Sequence, residues 1–169
     1  MIGLPNKIVA LFLIATSLTA CGSGQNSVTR NFKQVTDGVE AQSSEIKLRN
    51  VLVVKSETGE GVLVGTLINV SDQTDQITAI DIDNTPAKLA ASEYQLVKNQ
   101  PIIFVGDSAN ADASITGVSK VAGDRTPVTF TFAKASPVTV SALIVNGEGI
   151  YKELKRSMPV VVVLPSPTP

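Results

Sequence analysis

Apolar residues at every second position constrain the fold of this chain more than any other feature of its sequence. In residues 128–132 the alternation is strict: Val128, Phe130 and Phe132 are apolar, and a threonine stands between each pair. A period of two is the pattern of a β-strand that has one face in the core and the other in water. The pattern recurs along the chain between clusters of Gly, Pro, Asn and Asp, which favour turns. The sequence therefore predicts an all-β domain.

Seven segments carry this pattern strongly enough to predict strands. The first should place four aliphatic residues on one face: Ile46, Leu48, Leu52 and Val54. It should form a hairpin with residues 62–70, and the later strands are expected at residues 77–82, 101–105, 115–121, 128–132 and 138–145. About seven strands is the number typical of an immunoglobulin-like or cupredoxin-like β-sandwich. At most one short helix is expected, and only residues 85–92 could form it, with Thr85 as cap and Pro86 in the first turn.

The first twenty residues are predicted to be an export signal. Lys7 precedes the apolar run 8–15, which is shorter than the about 20 apolar residues that a membrane-spanning helix requires. The sequence Leu-Thr-Ala-Cys at 18–21 resembles the lipobox of bacterial lipoproteins, in which the cysteine thiol receives diacylglycerol. Acyl chains on Cys21 would hold the protein on the outer, extracytoplasmic face of the cell membrane, since each buried methylene adds about 0.8 kcal/mol of membrane affinity.

Composition then divides the rest of the chain. Residues 21–44 are rich in Gly, Ser, Gln, Asn and Thr and are predicted to be a flexible tether, and the β-sandwich is expected over residues 45–158. Residues 159–169 form a valine-rich end and a Pro-rich tail. The aliphatic run 160–164 fits either a last edge strand or a loose segment, and the strand is favoured. Alternating prolines at 165–169 predict an extended, exposed terminus.

The residue types that are missing exclude several functions. With no histidine, the chain lacks the usual general base near neutral pH and the commonest transition-metal ligand. The only cysteine is Cys21, so no disulfide within one chain is available. A net charge of -1 gives no electrostatic basis for nucleic-acid binding. The one Ser-x-x-Lys arrangement, Ser44 to Lys47, runs into a strand, and Lys47 is interpreted as a solvated strand residue.

Paired carboxylates are interpreted as structural. Asp81 and Asp83 should lie on one side of a strand, as a polar outer face rather than a calcium or acid-base site, because a Ca²⁺ site takes six or more oxygens. Asp72 and Asp75 are predicted to form turns. No catalytic, cofactor-binding or metal-binding residue is predicted, and Cys21, as the lipidation site, is the one functional residue.

Several stretches together resemble the periplasmic copper chaperone A(C) family, especially its lipoprotein relatives in actinobacteria. The resemblance covers roughly residues 46–145 and is carried by residues 63–70, 75–77, 117–118, 123–124, 127–132 and 138–140. It implies a cupredoxin-like or immunoglobulin-like sandwich, and in the metal-binding members of the family copper(I) is held by histidine and methionine. Those are soft or borderline ligands that suit this ion.

At the positions of those ligands this sequence has other residues. By approximate alignment, the family's His-x-Met motif falls where this chain has Asp112 and Ser114, and its upstream histidine falls near residues 90–92, which are Ala-Ala-Ser. Met158 lies beyond the matched region and is interpreted as a packing residue. Copper binding of the family type is therefore not expected.

Three functions stay open at this stage. The leading interpretation is a non-enzymatic, membrane-anchored binding or accessory module, with an envelope protein as a potential partner and no cofactor. The alternative is an extracytoplasmic metal carrier that uses oxygen ligands such as Asp107, Asp112 and Asp124. The third is a hydrolase, which predicts a deep pocket holding a buried lysine beside a serine.

Overall fold

The structure is a computed structural model that describes residues 37–152, and these residues contain eleven strands. Six are long: β1 (Val39–Ser43), β2 (Ile46–Lys55), β3 (Gly61–Asn69), β4 (Asp75–Ile82), β10 (Arg125–Phe132) and β11 (Val138–Asn146). Five are short: β5 (Thr85–Pro86), β6 (Lys88–Leu89), β7 (Tyr94–Leu96), β8 (Ile102–Ile103) and β9 (Ala113–Ile115). A 3-10 helix at Gly149–Tyr151 is the only helical element of this part of the chain.

The strands hydrogen-bond in the order β5-β4-β10-β11-β2-β3-β9-β6, and the sheet nearly closes into a barrel. Three further strands pair at its side, β1 with β2, β7 with β4 and β8 with β3. All neighbours are antiparallel except β11 and β2, which run parallel. The predicted all-β architecture is confirmed, and β2 and β3 form the predicted hairpin.

The core is formed by the inward faces of the long strands. On β10 the strict alternation has its expected result, because Val128, Phe130 and Phe132 are buried and the two threonines between them are half-buried. The largest fully buried side chains of the described residues include Phe104, Phe130, Leu48, Leu63, Leu67 and Ile77. Burying one such side chain contributes about 1.5–3 kcal/mol, so this layer is the main source of stability.

A β-bulge in β2 makes the predicted face of the first strand wrong. The register changes between Arg49 and Leu52, and Asn50 has a φ of 52°. The extra residue reverses which side chains point inward, because alternation restarts after a bulge. Before it Ile46 and Leu48 face the core, and after it Val51 and Val53 do so, while Leu52 and Val54 face the opposite side.

The helix that residues 85–92 could form is not present, since Thr85 and Pro86 form β5 and residues 88 and 89 form β6. The cause is the turn that precedes them. Asp83 and Asn84 have φ values of 53° and 60° and join Ile82 to Thr85 as a two-residue hairpin loop. Positive φ at both central residues is the type I′ geometry, which Asp and Asn tolerate and which directs the chain into a strand.

The strand expected over residues 115–121 is wrong, because the observed strand β9 ends at Ile115, the first residue of the predicted range. Gly117 has a φ of 74°, a conformation that does not continue a strand. Val118 is nevertheless buried, and its N–H donates to the Gly59 carbonyl over 2.9 Å. The segment is therefore a loop that is fixed against the β2–β3 turn.

Asp75 has a larger structural role than the predicted turn. It begins β4, is 8% exposed, and its carboxylate accepts hydrogen bonds from the backbone N–H groups of Gln76, Lys134 and Ala135 at 2.8–2.9 Å. It thereby holds the β10–β11 connection against the start of β4. Asp72 is exposed and pairs with Lys98.

The predicted signal at residues 1–20, the lipidation site Cys21 and the tail 159–169 lie outside the described residues. Residues 39–43, at the end of the segment predicted as a tether, form β1. Within residues 37–152 no helix has the length and apolarity needed to cross a membrane.

Candidate functional site

A cleft lined by both polar and apolar side chains lies where the two ends of the strand order meet. β5 is one end of that order and β6 is the other, and the chain runs directly from one to the other through Ala87. The cleft has a volume of about 620 Å³. It is lined by Glu60, Thr85, Pro86, Lys88, Leu89, Ala90, Asp112, Ser114, Ile115 and Thr116.

Strand pairing positions the polar side chains of this cleft. β9 lies between β3 and β6, so that Ser114 is opposite Val62 on one side and Lys88 on the other. Ser114 is buried, Asp112 is half-buried, and Lys88 is exposed. Ser114 therefore lies in the wall of the cleft with Asp112 next to β9, and the lysine lies toward solvent.

Tyr94 fixes the two chain segments that form one wall of the cleft. Its hydroxyl donates to the Asp112 carbonyl over 2.8 Å and accepts from the N–H groups of Asp112 and Ala90 at 3.0 and 3.2 Å. Its ring packs edge-on against Phe104, with ring centroids 5.9 Å apart. One phenol therefore ties residues 90 and 112 together from the side of the core. Sequence reasoning did not single out Tyr94, because an isolated tyrosine carries no sign of its partners.

Two segments that the family resemblance linked only through an approximate alignment, around residue 90 and residues 112–114, lie next to each other in the structure. Asp112 and Ser114, which the approximate alignment matches to the family's His-x-Met motif, line the cleft with Ala90, and the Ala90 N–H donates to the Asp112 carbonyl over 3.3 Å. Ala91 and Ser92 are exposed and do not line it. The side chains present offer carboxylate and hydroxyl oxygens and one ammonium group. Oxygen ligands suit hard cations and not copper(I), which prefers thiolate, thioether or imidazole.

The oxygen ligands proposed for a metal carrier are not assembled into one site. Asp112 lines the cleft, whereas Asp107 and Asp124 do not. Asp124 accepts a hydrogen bond from the Val121 N–H over 3.1 Å and shapes the turn before β10. Between residues 37 and 152 no three His, Cys, Asp or Glu side chains are grouped so that they could hold a metal ion.

The prediction that Asp81 and Asp83 lie together on one side of a strand is wrong, because β4 ends at Ile82. Asp83 has left the strand and lies in the positive-φ turn, where its carboxylate accepts a hydrogen bond from Lys120 Nζ over 2.8 Å. This hydrogen bond, assisted by Thr126, holds the pKa of Asp83 below its ordinary value against the opposing effect of desolvation. Lys120 is thereby engaged in a structural ion pair. In the cleft itself Lys88 is exposed, so the buried lysine that a serine–lysine hydrolase predicts is not found there.

The fold defines the class of the protein as an all-β domain of the cupredoxin-like kind. Among solved structures the chain is similar to the copper-bound PCuAC domain from PmoF2, with a TM-score of 0.55 and 17% identity over 64% of this chain and 98% of that domain. The apo PCuAC domain from PmoF1 gives a TM-score of 0.55 and 18% identity over 63% of this chain and 98% of that domain. No protein-family model and no curated protein matches the sequence. At these identities the likeness shows the fold, and it confirms the fold that the sequence resemblance implied.

Proposed function

We propose that this protein is a lipid-anchored, non-enzymatic binding module of the bacterial envelope that uses a copper-chaperone scaffold without a copper(I) site. One observation carries the proposal. Asp112, Ser114 and Ala90 line the same cleft, and the approximate alignment matches Asp112 and Ser114 to the histidine and methionine that the resemblance expects. The cleft is concave, combines apolar and polar side chains, and is fixed by backbone pairing, as a preformed binding site is.

Copper(I) competition tests this function directly. The mature chain is titrated into a copper(I)–chelator complex, and the release of free chelator is followed by absorbance. We expect no one-to-one transfer of copper, because carboxylate and hydroxyl oxygens bind this soft ion weakly. Tight one-to-one transfer would instead favour the metal carrier with non-standard ligands and contradict the proposal.

The anchor is supported by the sequence at 18–21 and is tested separately. In cells fed radioactive palmitate, the wild-type chain should be labelled and should sediment with membranes. Cys21→Ser should abolish the label and release the protein, because the hydroxyl is a much poorer nucleophile than the thiol. A second substitution, Ser23→Ala, serves as the matched control and should change neither result. Unchanged labelling of the Cys21→Ser chain would contradict the anchor.

A further inference from the structure

A second apolar surface lies on the side of the sheet opposite the core. Its residues form two rows across β11, β2 and β3, and we name it the outer aliphatic face: Leu143, Leu52 and Val64 in one row, and Val145, Val54 and Val62 in the other. Their strand neighbours Val51, Val53, Leu63 and Ile144 belong to the core. Because side chains alternate along a strand, the six aliphatic residues point away from that core.

The centre of the outer aliphatic face is buried. Leu52 is 0%, Val54 1% and Val62 4% exposed, while the other three are half-buried. The neighbouring strand β10 presents threonines on its outer side, which is the usual composition of a solvated sheet face. Six contiguous aliphatic residues with a buried centre instead indicate a surface that another layer covers.

The last described residues, Tyr151 and Lys152, lie beside the outer aliphatic face. Tyr151 and Lys152 line a cavity of about 410 Å³ together with Val54 and Val62. The Gly147 N–H donates to the Lys55 carbonyl over 2.9 Å, which holds the chain beside the end of β2. Whatever follows Lys152 therefore leaves from the edge of the outer aliphatic face.

We propose that the aliphatic run 160–164 folds back and packs on the outer aliphatic face. The run is Val-Val-Val-Val-Leu between two prolines, and residues 22–36 contain only isolated apolar residues. The seven residues from 153 to 159 can span up to about 25 Å. Three adjacent strands are only about 10 Å wide, so the run can reach every part of the face. This contact is independent of what binds in the cleft.

Disulfide trapping tests the position of the run. In the full-length chain carrying Cys21→Ser, Val64→Cys is combined in turn with a cysteine at each of residues 160–164, and mild oxidation is followed by mass spectrometry of the linked peptides. We expect an intrachain disulfide from at least one position of the run. Thr78→Cys, exposed on β4, replaces Val64→Cys as the matched control and should give no link. Equal yields from both partners would overturn the proposal.

Mixing two chains that each carry a single cysteine separates this contact from one between two copies. If Val64→Cys in one chain links to the run of another as efficiently as within one chain, a second copy covers the face and the proposal is wrong.

A stability measurement completes the test. Charging the run with Val161→Asp/Val163→Asp or Val160→Asp/Val162→Asp should lower the unfolding temperature by about 2–8 °C for at least one pair. Ser166→Asp/Thr168→Asp should leave it unchanged, and no effect of either valine pair would contradict the packing.

Discussion

Tyr94 shows at the scale of one residue how the core fixes the cleft. Tyr94→Phe keeps the ring against Phe104 and removes the hydroxyl that bonds Asp112 twice and Ala90 once. We expect the free energy of unfolding to fall by about 1–3 kcal/mol, because backbone groups lose a partner at a part-buried site. Urea unfolding measures this loss. Hydrogen exchange should also accelerate at the amides of residues 90 and 112.

Tyr151→Phe is the control for this prediction, since it removes the other tyrosine hydroxyl of the chain outside the cleft. It should change neither stability nor exchange at residues 90 and 112. If Tyr94→Phe and Tyr151→Phe behaved alike, the assigned role of Tyr94 would be wrong.

Asp83 gives the protein a defined pH dependence. Because the Lys120 hydrogen bond lowers the pKa of Asp83 in the folded state, the carboxylate stabilises the fold above its unfolded pKa of about 3.9. This stabilisation is lost as the pH falls through the lower folded pKa. Asp83→Asn keeps a residue that tolerates positive φ and removes the charge. It should cost about 0.5–1 kcal/mol between pH 5 and 7.

Urea unfolding of the wild type and Asp83→Asn across pH 2–7 tests this dependence. The difference between the two proteins should be constant above pH 5 and should shrink toward zero in acid. Asp72→Asn, in an exposed ion pair with Lys98, is the comparison and should differ less from the wild type. If the difference for Asp83→Asn grew on acidification, the Lys120 hydrogen bond would not be what stabilises the charged carboxylate.

At the scale of the elements, the bulge at Asn50 decides which side chains of β2 enter the core. Asn50→Val places a β-branched residue at a φ of 52°, which is strained, and should lower the free energy of unfolding by about 1–3 kcal/mol. Asn50→Gly accepts this conformation and should stay within about 0.5 kcal/mol of the wild type. Thermal or urea unfolding of the two variants measures both effects. Equal stabilities for valine and glycine at position 50 would show that the bulge does not constrain the chain.

Periodicity predicted five of the six long strands, all except β1, because it reports burial and burial determines these elements. It placed Leu52 and Val54 on the wrong face because an alternating pattern carries no mark of an inserted residue, and here both faces of β2 are aliphatic. It allowed a helix after Thr85 because capping chemistry was weighed without the positive-φ pair Asp83 and Asn84 that precedes it. These errors are local and leave the class of fold unchanged.

The cleft was harder to predict from the sequence than the strands, because it depends on the order of the strands in the whole sheet. Ala90, Asp112 and Ser114 meet only because β6 pairs with β9 at the end of the strand order, and strand order is a long-range property that periodicity does not contain. The family resemblance supplied Asp112 and Ser114 as equivalent positions. Neither approach identified Glu60, which lines the cleft, or Tyr94, which holds its wall, because both positions depend on the folded geometry.

The equivalence of these positions is the central claim, and restoring soft ligands tests it most directly. Asp112→His/Ser114→Met introduces the His-x-Met pair in the cleft, and Thr129→His/Thr131→Met introduces the same pair at the same spacing on the outer side of β10. Copper(I) affinity is measured for both by chelator competition. The cleft variant should bind copper(I) at least about tenfold more tightly than the wild type and the β10 variant, a gain of about 1.4 kcal/mol. Equal affinities of the two variants would contradict the assignment of the cleft to the position of the copper site.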